Sequence, residues 1–265
     1  MDKPTYHQEE HLMPRFKNQV LLLTGAGSGI GRATTLKLAA EGASLFVTDV
    51  VADALKETLE LAADAASESG ALISSSITDI SDEAQAKASV VACVDEFGKL
   101  DALCNNAGVI GYRHTHEMDF DFWRKILSVN LDGTFLMTRE AIPHLLKSRG
   151  AIVNIGSTAG LSGLAYGSAY SASKGAVHAF TRAIAVEYAS QGLRANSISP
   201  ASIETGMTKP TAMPDGADFS LLERLSSLHG VSGPEAVADL ILFLASEDAR
   251  HISGEEIRID GAALA

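Results

Sequence analysis

Cysteine is scarce in this 265-residue chain, which contains only Cys93 and Cys104. Two cysteines cannot form the disulfide framework of a small secreted protein. Both lie in apolar segments, so we interpret them as buried, reduced side chains and expect a cytoplasmic protein. Long apolar runs are also missing, because the run at 240–245 is far shorter than the roughly 20 residues that a membrane-spanning helix needs.

Positive charge is the second scarcity: 21 lysines and arginines face 33 acidic residues, giving a net charge of −12. This charge repels phosphate backbones and anionic lipids, and the basic residues form no cluster along the chain. We therefore expect no nucleic-acid partner and no membrane partner. Segment 1–17 lacks the apolar stretch of a signal peptide and is interpreted as a polar N-terminal arm.

Short apolar runs alternate with longer segments of helical periodicity over the rest of the chain. This alternation predicts an α/β fold, in which successive βαβ units build a doubly wound parallel sheet with helices on both faces. The strand candidates are 20–24, 44–49, 71–76, 101–105, 151–155, 194–198 and 256–259, and the helix candidates are 30–41, 52–69, 82–97, 120–146, 171–190 and 234–245. Residues 18–265 are expected to form a single domain. Segment 201–230, with Met207 and Pro210, breaks the rhythm and is predicted to be a substrate loop.

A glycine-rich turn, TGAGSGIG at 24–31, joins the first strand to the first helix. Such a turn lets backbone N–H groups approach a pyrophosphate, and the helix dipole favours its charge. The G-x-G-x-x-G spacing is not satisfied, because Ile30 stands where the third glycine would be. The alternative is a tight turn without a ligand. The candidate contacts are Gly25, Ser28, Gly29, Ile30 and Gly31.

Asp49 ends the second strand, 18 residues after Gly31. An acidic side chain at this place can accept hydrogen bonds from the ribose hydroxyls of adenosine. Its charge would oppose a 2′-phosphate by about 4 kcal/mol per unit charge at a distance of about 4 Å. This arrangement favours NAD over NADP. The alternative is a strand-end carboxylate that caps the following helix.

Tyr170 and Lys174 are spaced i and i+4, which predicts that they share one helical face. A phenol becomes a general base at neutral pH when its pKa falls by about three units, or about 4 kcal/mol. An ammonium at about 4 Å supplies that amount, and a cationic nicotinamide would add to it. Ser157 follows the fifth strand, at the sheet edge where open parallel sheets bind ligands. Its hydroxyl is expected to hold the substrate oxygen, unless it is only a turn cap.

Taken in order, these motifs resemble the short-chain dehydrogenase/reductase superfamily over about residues 18–261. The resemblance rests on TGAGSGIG at 24–31, NNAG at 105–108, Asn130, Ser157 and YSASK at 170–174. It implies a seven-stranded Rossmann-type sheet and an NAD-dependent oxidoreductase that interconverts a small secondary alcohol and its ketone. Tyr170 would be the acid/base, Lys174 would lower its pKa and bind the nicotinamide ribose, and Asn130 would shape a water relay.

The resemblance also implies further cofactor contacts and an oligomer. The implied contacts lie after the third, fourth and sixth strands: Asp79, Ile80, Asn106, Ala107, Gly108, Pro200, Ile203 and Thr205. Ala201 departs from the family, which usually has glycine there, and places Ile203 and Thr205 in doubt. A homotetramer or homodimer is implied, and the largely apolar helix at 176–189 supports it.

Other interpretations concern the substrate and the class of protein. Leu161, Leu164, Tyr166 and the loop after Thr205 indicate a mostly apolar pocket, compatible with a cyclic or aromatic alcohol. His178, one turn after Lys174, is interpreted as a helix-packing residue. No metal site is expected, since neither a thiolate nor a carboxylate set accompanies His114 and His116, which are the chain's closest histidine pair. The rival functions are an NADPH-dependent acyl-carrier-protein reductase and a catalytically silent NAD sensor.

Overall fold

The structure is a computed structural model that describes residues 15–206 and 213–265. Met207 and Pro210, assigned above to the substrate loop, lie outside the described residues, as does most of the predicted arm. Within that arm, Phe16 is fully buried in the core and Arg15 pairs with Glu41. The last residues of segment 1–17 therefore pack with the domain and do not form part of an arm.

Seven parallel strands form one sheet in the order β3-β2-β1-β4-β5-β6-β7. Their bounds are β1 Val20–Thr24, β2 Ser44–Asp49, β3 Ile73–Ile77, β4 Ala102–Asn105, β5 Ala151–Ile155, β6 Arg194–Pro200 and β7 Glu256–Ile259. The order reverses between β1 and β4, which is where open parallel sheets bind ligands. The doubly wound fold predicted from the alternating pattern is confirmed. The third strand begins two residues later than expected.

Helices cover both faces of this sheet. The described helices are α1 Gly29–Ala40, α2 Ala52–Ser69, α3 Glu83–Phe97, α4 Phe120–Leu127, α5 Gly133–Ser148, α6 Ala159–Ser162, α7 Ser168–Tyr188, α8 Ser220–Glu223 and α9 Pro234–Ala245. The first of the two main core layers contains Leu21 and Leu23 of β1 with residues of α1 and α9. The opposite layer contains Leu22 with residues of α3, α5 and α7. Successive side chains of a strand thus point alternately into the two layers, as expected of a sheet covered on both sides.

One helix prediction needs correction. The single helix expected over 120–146 is two helices joined by a π-helical turn, Ser128–Asp132. This turn contains Asn130, whose side chain is bonded to the backbone of Val109. Elsewhere, the cap of α3 is Asp82, which accepts a hydrogen bond from the Gln85 amide. No helix within the described residues is long and apolar enough to cross a membrane.

Candidate active site

A cavity of about 870 Å³ opens at the carboxyl ends of the strands. Its volume lies within the roughly 300–1,000 Å³ typical of ligand pockets. It brings together most of the predicted cofactor residues and three of the four predicted catalytic ones: Gly25, Ser28, Gly29, Ile30, Asp49, Asp79, Ile80, Asn106, Ala107, Gly108, Ser157, Tyr170, Lys174, Pro200, Ile203 and Thr205. Gly31 and Asn130 do not line it.

The glycine turn provides one wall of the cavity. Gly25 and Gly29 adopt left-handed φ angles of 68° and 51°, which favour glycine. Ser28 precedes α1 without capping it through its side chain, so the first N–H groups of the helix are free of a side-chain cap. An uncapped helix N-terminus beside small residues suits a pyrophosphate. The cavity therefore fits a dinucleotide.

Gly31 has a packing role. A β-carbon at this position would overlap the carbonyl oxygen of Gly25. Only glycine therefore allows α1 to start directly against the turn. Gly31 is buried and does not line the cavity, and its contact with the cofactor stays a prediction.

Two loops are tied together beside this turn. Thr24 is fully buried, and its hydroxyl accepts hydrogen bonds from the amides of Asn106 and Ala107 at 3.1 and 3.0 Å. The Asn106 side chain donates in return to the carbonyl oxygens of Thr24 and Gly25. These bonds fix the NNAG segment against the glycine turn.

Asp49 occupies the far end of the same wall. One carboxylate oxygen accepts a hydrogen bond from the Gly27 amide at 2.8 Å, and the other accepts from the Val51 amide at 2.9 Å. Val51 is itself the N-cap residue of α2 and no side chain caps that helix, so the bond from Val51 to Asp49 is a turn contact and not the helix cap considered as an alternative. Because each oxygen has a second lone pair, the carboxylate can also accept from a ribose facing the cavity.

Tyr170, Lys174 and Ser157 meet where α7 crosses the end of β5. The Lys174 Nζ atom lies 5.9 Å from the centroid of the Tyr170 ring and donates to the Ile155 carbonyl at 2.7 Å. Ser157 lines the cavity beside Tyr170, and the Ser157 hydroxyl oxygen accepts a hydrogen bond from the Ala159 amide at 3.1 Å. The i, i+4 spacing has therefore placed the phenol and the ammonium on the same side of α7.

The expected lowering of the Tyr170 pKa is wrong for the protein alone. Burial raises the pKa of Tyr170 to about 12, although the hydrogen bond from Ser157 acts in the opposite direction. Burial also lowers the pKa of Lys174 to about 8. Desolvation of both groups outweighs the attraction considered above. A further positive charge is needed before the phenol can ionise near neutral pH.

Asn130 lies behind the cavity. Its amide nitrogen donates to the Val109 carbonyl and to the Ser173 hydroxyl, and its oxygen accepts from the Val109 amide. A β-carbon at Gly108 would lie 3.2 Å from the Asn130 oxygen and 3.3 Å from Lys174 Nζ. Asn130 and Lys174 thus lie on either side of Gly108, and the amide group of Asn130 makes its three hydrogen bonds to Val109 and Ser173.

The loops after β3 and β6 complete the cofactor wall. Asp79 accepts two hydrogen bonds from Ser81, while Ile80 is buried against Gly133. Ile203 is also buried, and a β-carbon at Gly29 would lie 3.0 Å from the Thr205 methyl group. Ala201, which stands where the family usually has glycine, lines the cavity together with Ile203 and Thr205.

Several cavity residues were missed by the sequence analysis. They belong to none of the motifs quoted above: Val109, Ile110, Tyr112, Lys125, Val129 and Thr158. Ser202 and Leu225 also line the cavity, and they lie within segment 201–230, which was predicted to be the substrate loop. Of the three residues expected to form an apolar pocket, Leu164 lines the cavity, whereas Leu161 and Tyr166 do not. The Tyr166 hydroxyl instead accepts a hydrogen bond from the Asp218 amide. The ring of Tyr166 packs edge-on against His114.

Comparison with known proteins places this geometry in a family. A family model described as enoyl-(acyl carrier protein) reductase matches residues 25–262. The chain is 38% identical over 251 residues to the meso-2,3-butanediol dehydrogenase of Serratia marcescens, covering 95% of this chain and 96% of that protein. It is 36% identical to the cyclohexanol dehydrogenase of an Acinetobacter species, covering 96% of this chain and 98% of that protein.

A solved structure shares the same architecture. It is a short chain dehydrogenase from Mycobacterium paratuberculosis bound to NAD, with a TM-score of 0.86 and 26% sequence identity, covering 94% of this chain and 98% of that chain. The sheet order, the glycine turn and the Ser157, Tyr170 and Lys174 cluster agree with these matches. The chain belongs to the short-chain dehydrogenase/reductase family.

Proposed function

We propose that this protein is an NAD-dependent dehydrogenase that interconverts small, largely apolar secondary alcohols, cyclic ones included, and their ketones. The observation that carries the proposal is that Ser157, Tyr170 and Lys174 line one cavity together with the glycine turn, with Tyr170 and Lys174 on the same face of α7. Bound NAD would supply the hydride acceptor and a positive charge in this cavity. The protein's own residues supply the proton chemistry.

Each catalytic side chain has a distinct role in this proposal. Ser157 holds the alcohol oxygen, and Tyr170 exchanges a proton with it. Lys174 stabilises the ionised phenol and binds a ribose hydroxyl of the cofactor. Asn130 holds the Val109 backbone beside the lysine and shapes a water relay from it.

The preference for NAD over NADP rests on Asp49. Its carboxylate lines the cavity at the end of β2, where a 2′-phosphate would meet a like charge. The NAD-bound neighbour supports a dinucleotide of this class. Asp49 and the net charge of −12 count against an NADPH-dependent reductase that binds an acidic carrier protein.

The substrate class follows from the lining of the cavity and from the relatives. Apolar side chains from different elements, including Val109, Ile110, Leu164 and Leu225, line the cavity together with the catalytic hydroxyls. The names of the two relatives are those of enzymes for a small diol and for cyclohexanol. Both are secondary alcohols, and both suit an apolar site whose polar groups are the hydroxyls of Ser157 and Tyr170.

Assembly and cellular location are also proposed. Val186 on α7 is 80% exposed and Phe135 on α5 is 43% exposed, so covering this apolar surface favours a homodimer or homotetramer. Both cysteines are buried as free thiols, and burial raises the pKa of Cys93 to about 12. Unpaired, unreactive thiols support a reducing cytoplasmic location.

The test is a panel of secondary alcohols assayed with NAD and with NADP, with reduced cofactor as the readout. We expect turnover of 2,3-butanediol or cyclohexanol with NAD in preference to NADP. Preferred use of NADP would refute the cofactor assignment. Tight NAD binding without turnover of any alcohol or reverse reduction of any ketone would instead favour the NAD sensor.

A further inference from the structure

His178 lies behind the proposed active site without reaching the cavity. It is on α7, one turn after Lys174, and its side chain is almost fully buried at 2% exposure. A β-carbon at Gly156 would overlap the imidazole ring, so the ring packs directly against the backbone between β5 and Ser157. A histidine that only filled space would not need polar partners on both sides.

Both nitrogens of His178 have such partners. The Nε2 atom lies 3.3 Å from the carbonyl oxygen of Ser157 and 3.1 Å from the Ser199 hydroxyl. The Nδ1 atom lies 2.9 Å from the Ser197 hydroxyl and 3.6 Å from a carboxylate oxygen of Glu256. The imidazole thus connects the backbone of Ser157 to β6 and β7.

The partners allow two tautomers of the neutral ring. The contact with the Ser157 carbonyl, which only accepts, needs a proton on Nε2, and the Ser197 hydroxyl can then donate to Nδ1. In the opposite tautomer Nδ1 would donate to Ser197 or Glu256 and Nε2 would accept from Ser199, and the contact with the Ser157 carbonyl would be lost. Burial lowers the pKa of His178, and the charges of Lys174 and Arg182 act in the same direction. Glu256 and the contact with the Ser157 carbonyl act in the opposite direction. With burial the largest of these effects, the ring is neutral.

We propose that His178 is a positioning residue that holds Ser157 for catalysis. Its Nε2–H fixes the Ser157 carbonyl from behind, while the Ala159 amide holds the Ser157 hydroxyl oxygen in front at 3.1 Å. The two contacts together set the direction in which the hydroxyl meets Tyr170. The inference rests on the proposed function, since it assigns His178 to the site in which Ser157 holds the alcohol oxygen.

Two variants matched in length separate positioning from packing. His178→Gln keeps an N–H near the Nε2 position, whereas His178→Met fills similar space without a polar atom. We expect His178→Met to lower kcat/KM for the alcohol by at least about tenfold, and His178→Gln to stay within about threefold of the wild type. The Kd for NAD should stay within about twofold in both, because neither touches the cofactor wall.

The melting temperature and an NMR measurement complete the test. Equal losses of activity in both variants, in proportion to their melting temperatures, would assign His178 to packing and overturn the proposal. In the unsubstituted protein, 15N NMR of the imidazole should show a neutral Nε2–H tautomer, and an Nδ1–H tautomer or an imidazolium at neutral pH would contradict it even if the variants failed to fold. A wild type without turnover but with this tautomer would count against the proposed function and leave the His178 geometry intact.

Discussion

The two walls of the cavity are built in different ways. On the cofactor wall, Thr24 and Asn106 tie two backbone turns together through buried hydrogen bonds. On the substrate wall, the lining residues come from the loop after β4, from α4, from α6–α7 and, at Leu225, from the 213–232 region. In that region Phe219, Leu228 and Val231 are 62%, 80% and 71% exposed.

This difference assigns separate tasks to the two walls. Backbone turns held by buried hydrogen bonds vary little with side-chain identity, so the cofactor wall suits one invariant ligand. Side chains on a loosely covered segment can be exchanged without disturbing the sheet, so the substrate wall suits variable alcohols. Tyr170, Ser157 and Lys174 lie between the two walls and serve both.

Tyr170→Phe should have the largest effect, because it removes the oxygen that exchanges a proton with the substrate between the two walls. We expect kcat to fall by a factor of at least about 10² with nearly unchanged NAD affinity. Steady-state kinetics and fluorescence titration with NAD would measure the two effects. Unchanged turnover would remove the tyrosine from the mechanism.

Lys174→Met should change the pH dependence of stability. Burial lowers the pKa of Lys174 from 10.5 to about 8, so between these values the unfolded chain binds more protons at this lysine than the folded protein. The free energy of unfolding should therefore rise between about pH 8 and about pH 10, by about 2 kcal/mol relative to Lys174→Met.

Urea denaturation of the cofactor-free protein would measure this difference. Lys125→Met is the control, because Lys125 also lines the cavity but is exposed. The control should keep the wild-type dependence on pH. If the free energies of unfolding of the wild type and Lys174→Met changed with pH in parallel, the proposed desolvation of the lysine would be contradicted.

Asp49→Asn should have a moderate effect confined to the cofactor wall. The amide oxygen can still accept the hydrogen bond from the Gly27 amide, but the charge that opposes a 2′-phosphate is lost. We expect the preference for NAD over NADP to narrow by about tenfold, with a smaller loss of NAD affinity than in Asp49→Ala. An unaltered ratio of the two affinities would refute the assignment of Asp49.

Tyr112→Phe should have the smallest effect and should act on the substrate wall alone. The partly buried Tyr112 lines the cavity, and burial raises its pKa, so it offers a neutral hydroxyl to a second oxygen of the substrate. Losing one such bond costs about 1 kcal/mol, or about fivefold in kcat/KM. The loss should appear with 2,3-butanediol and be absent with cyclohexanol, and equal losses with both alcohols would exclude this contact.

The sequence predicts best what depends on neighbouring residues in the chain. The glycine turn, Asp49 and the Tyr170 and Lys174 pair are local patterns whose geometry follows from a strand end or one helical turn. The π-helical turn around Asn130 could not be predicted, because it accompanies hydrogen bonds to Val109, a residue in a different loop. No proline or glycine lies within Ser128–Asp132, and Gly133, which follows it directly, also begins α5.

The raised pKa of Tyr170 could not be predicted for the same reason. It depends on how tightly Ile126 of α4 and Ala159 of α6 pack around the ring, which the i, i+4 spacing does not specify. The place of Tyr112 in the cavity likewise depends on the path of the loop after β4. In each case the missing information is a contact between segments distant in sequence.

The most direct test of the account follows a hydrogen atom. Cyclohexanol deuterated at its carbinol carbon would be incubated with the protein and NAD, and the reduced cofactor analysed by mass spectrometry. Direct hydride transfer from the alcohol predicts deuterium in the reduced cofactor with the wild type, and a far slower formation of deuterated cofactor with Tyr170→Phe. Reduced cofactor without deuterium would contradict direct hydride transfer from the alcohol carbon in this cavity.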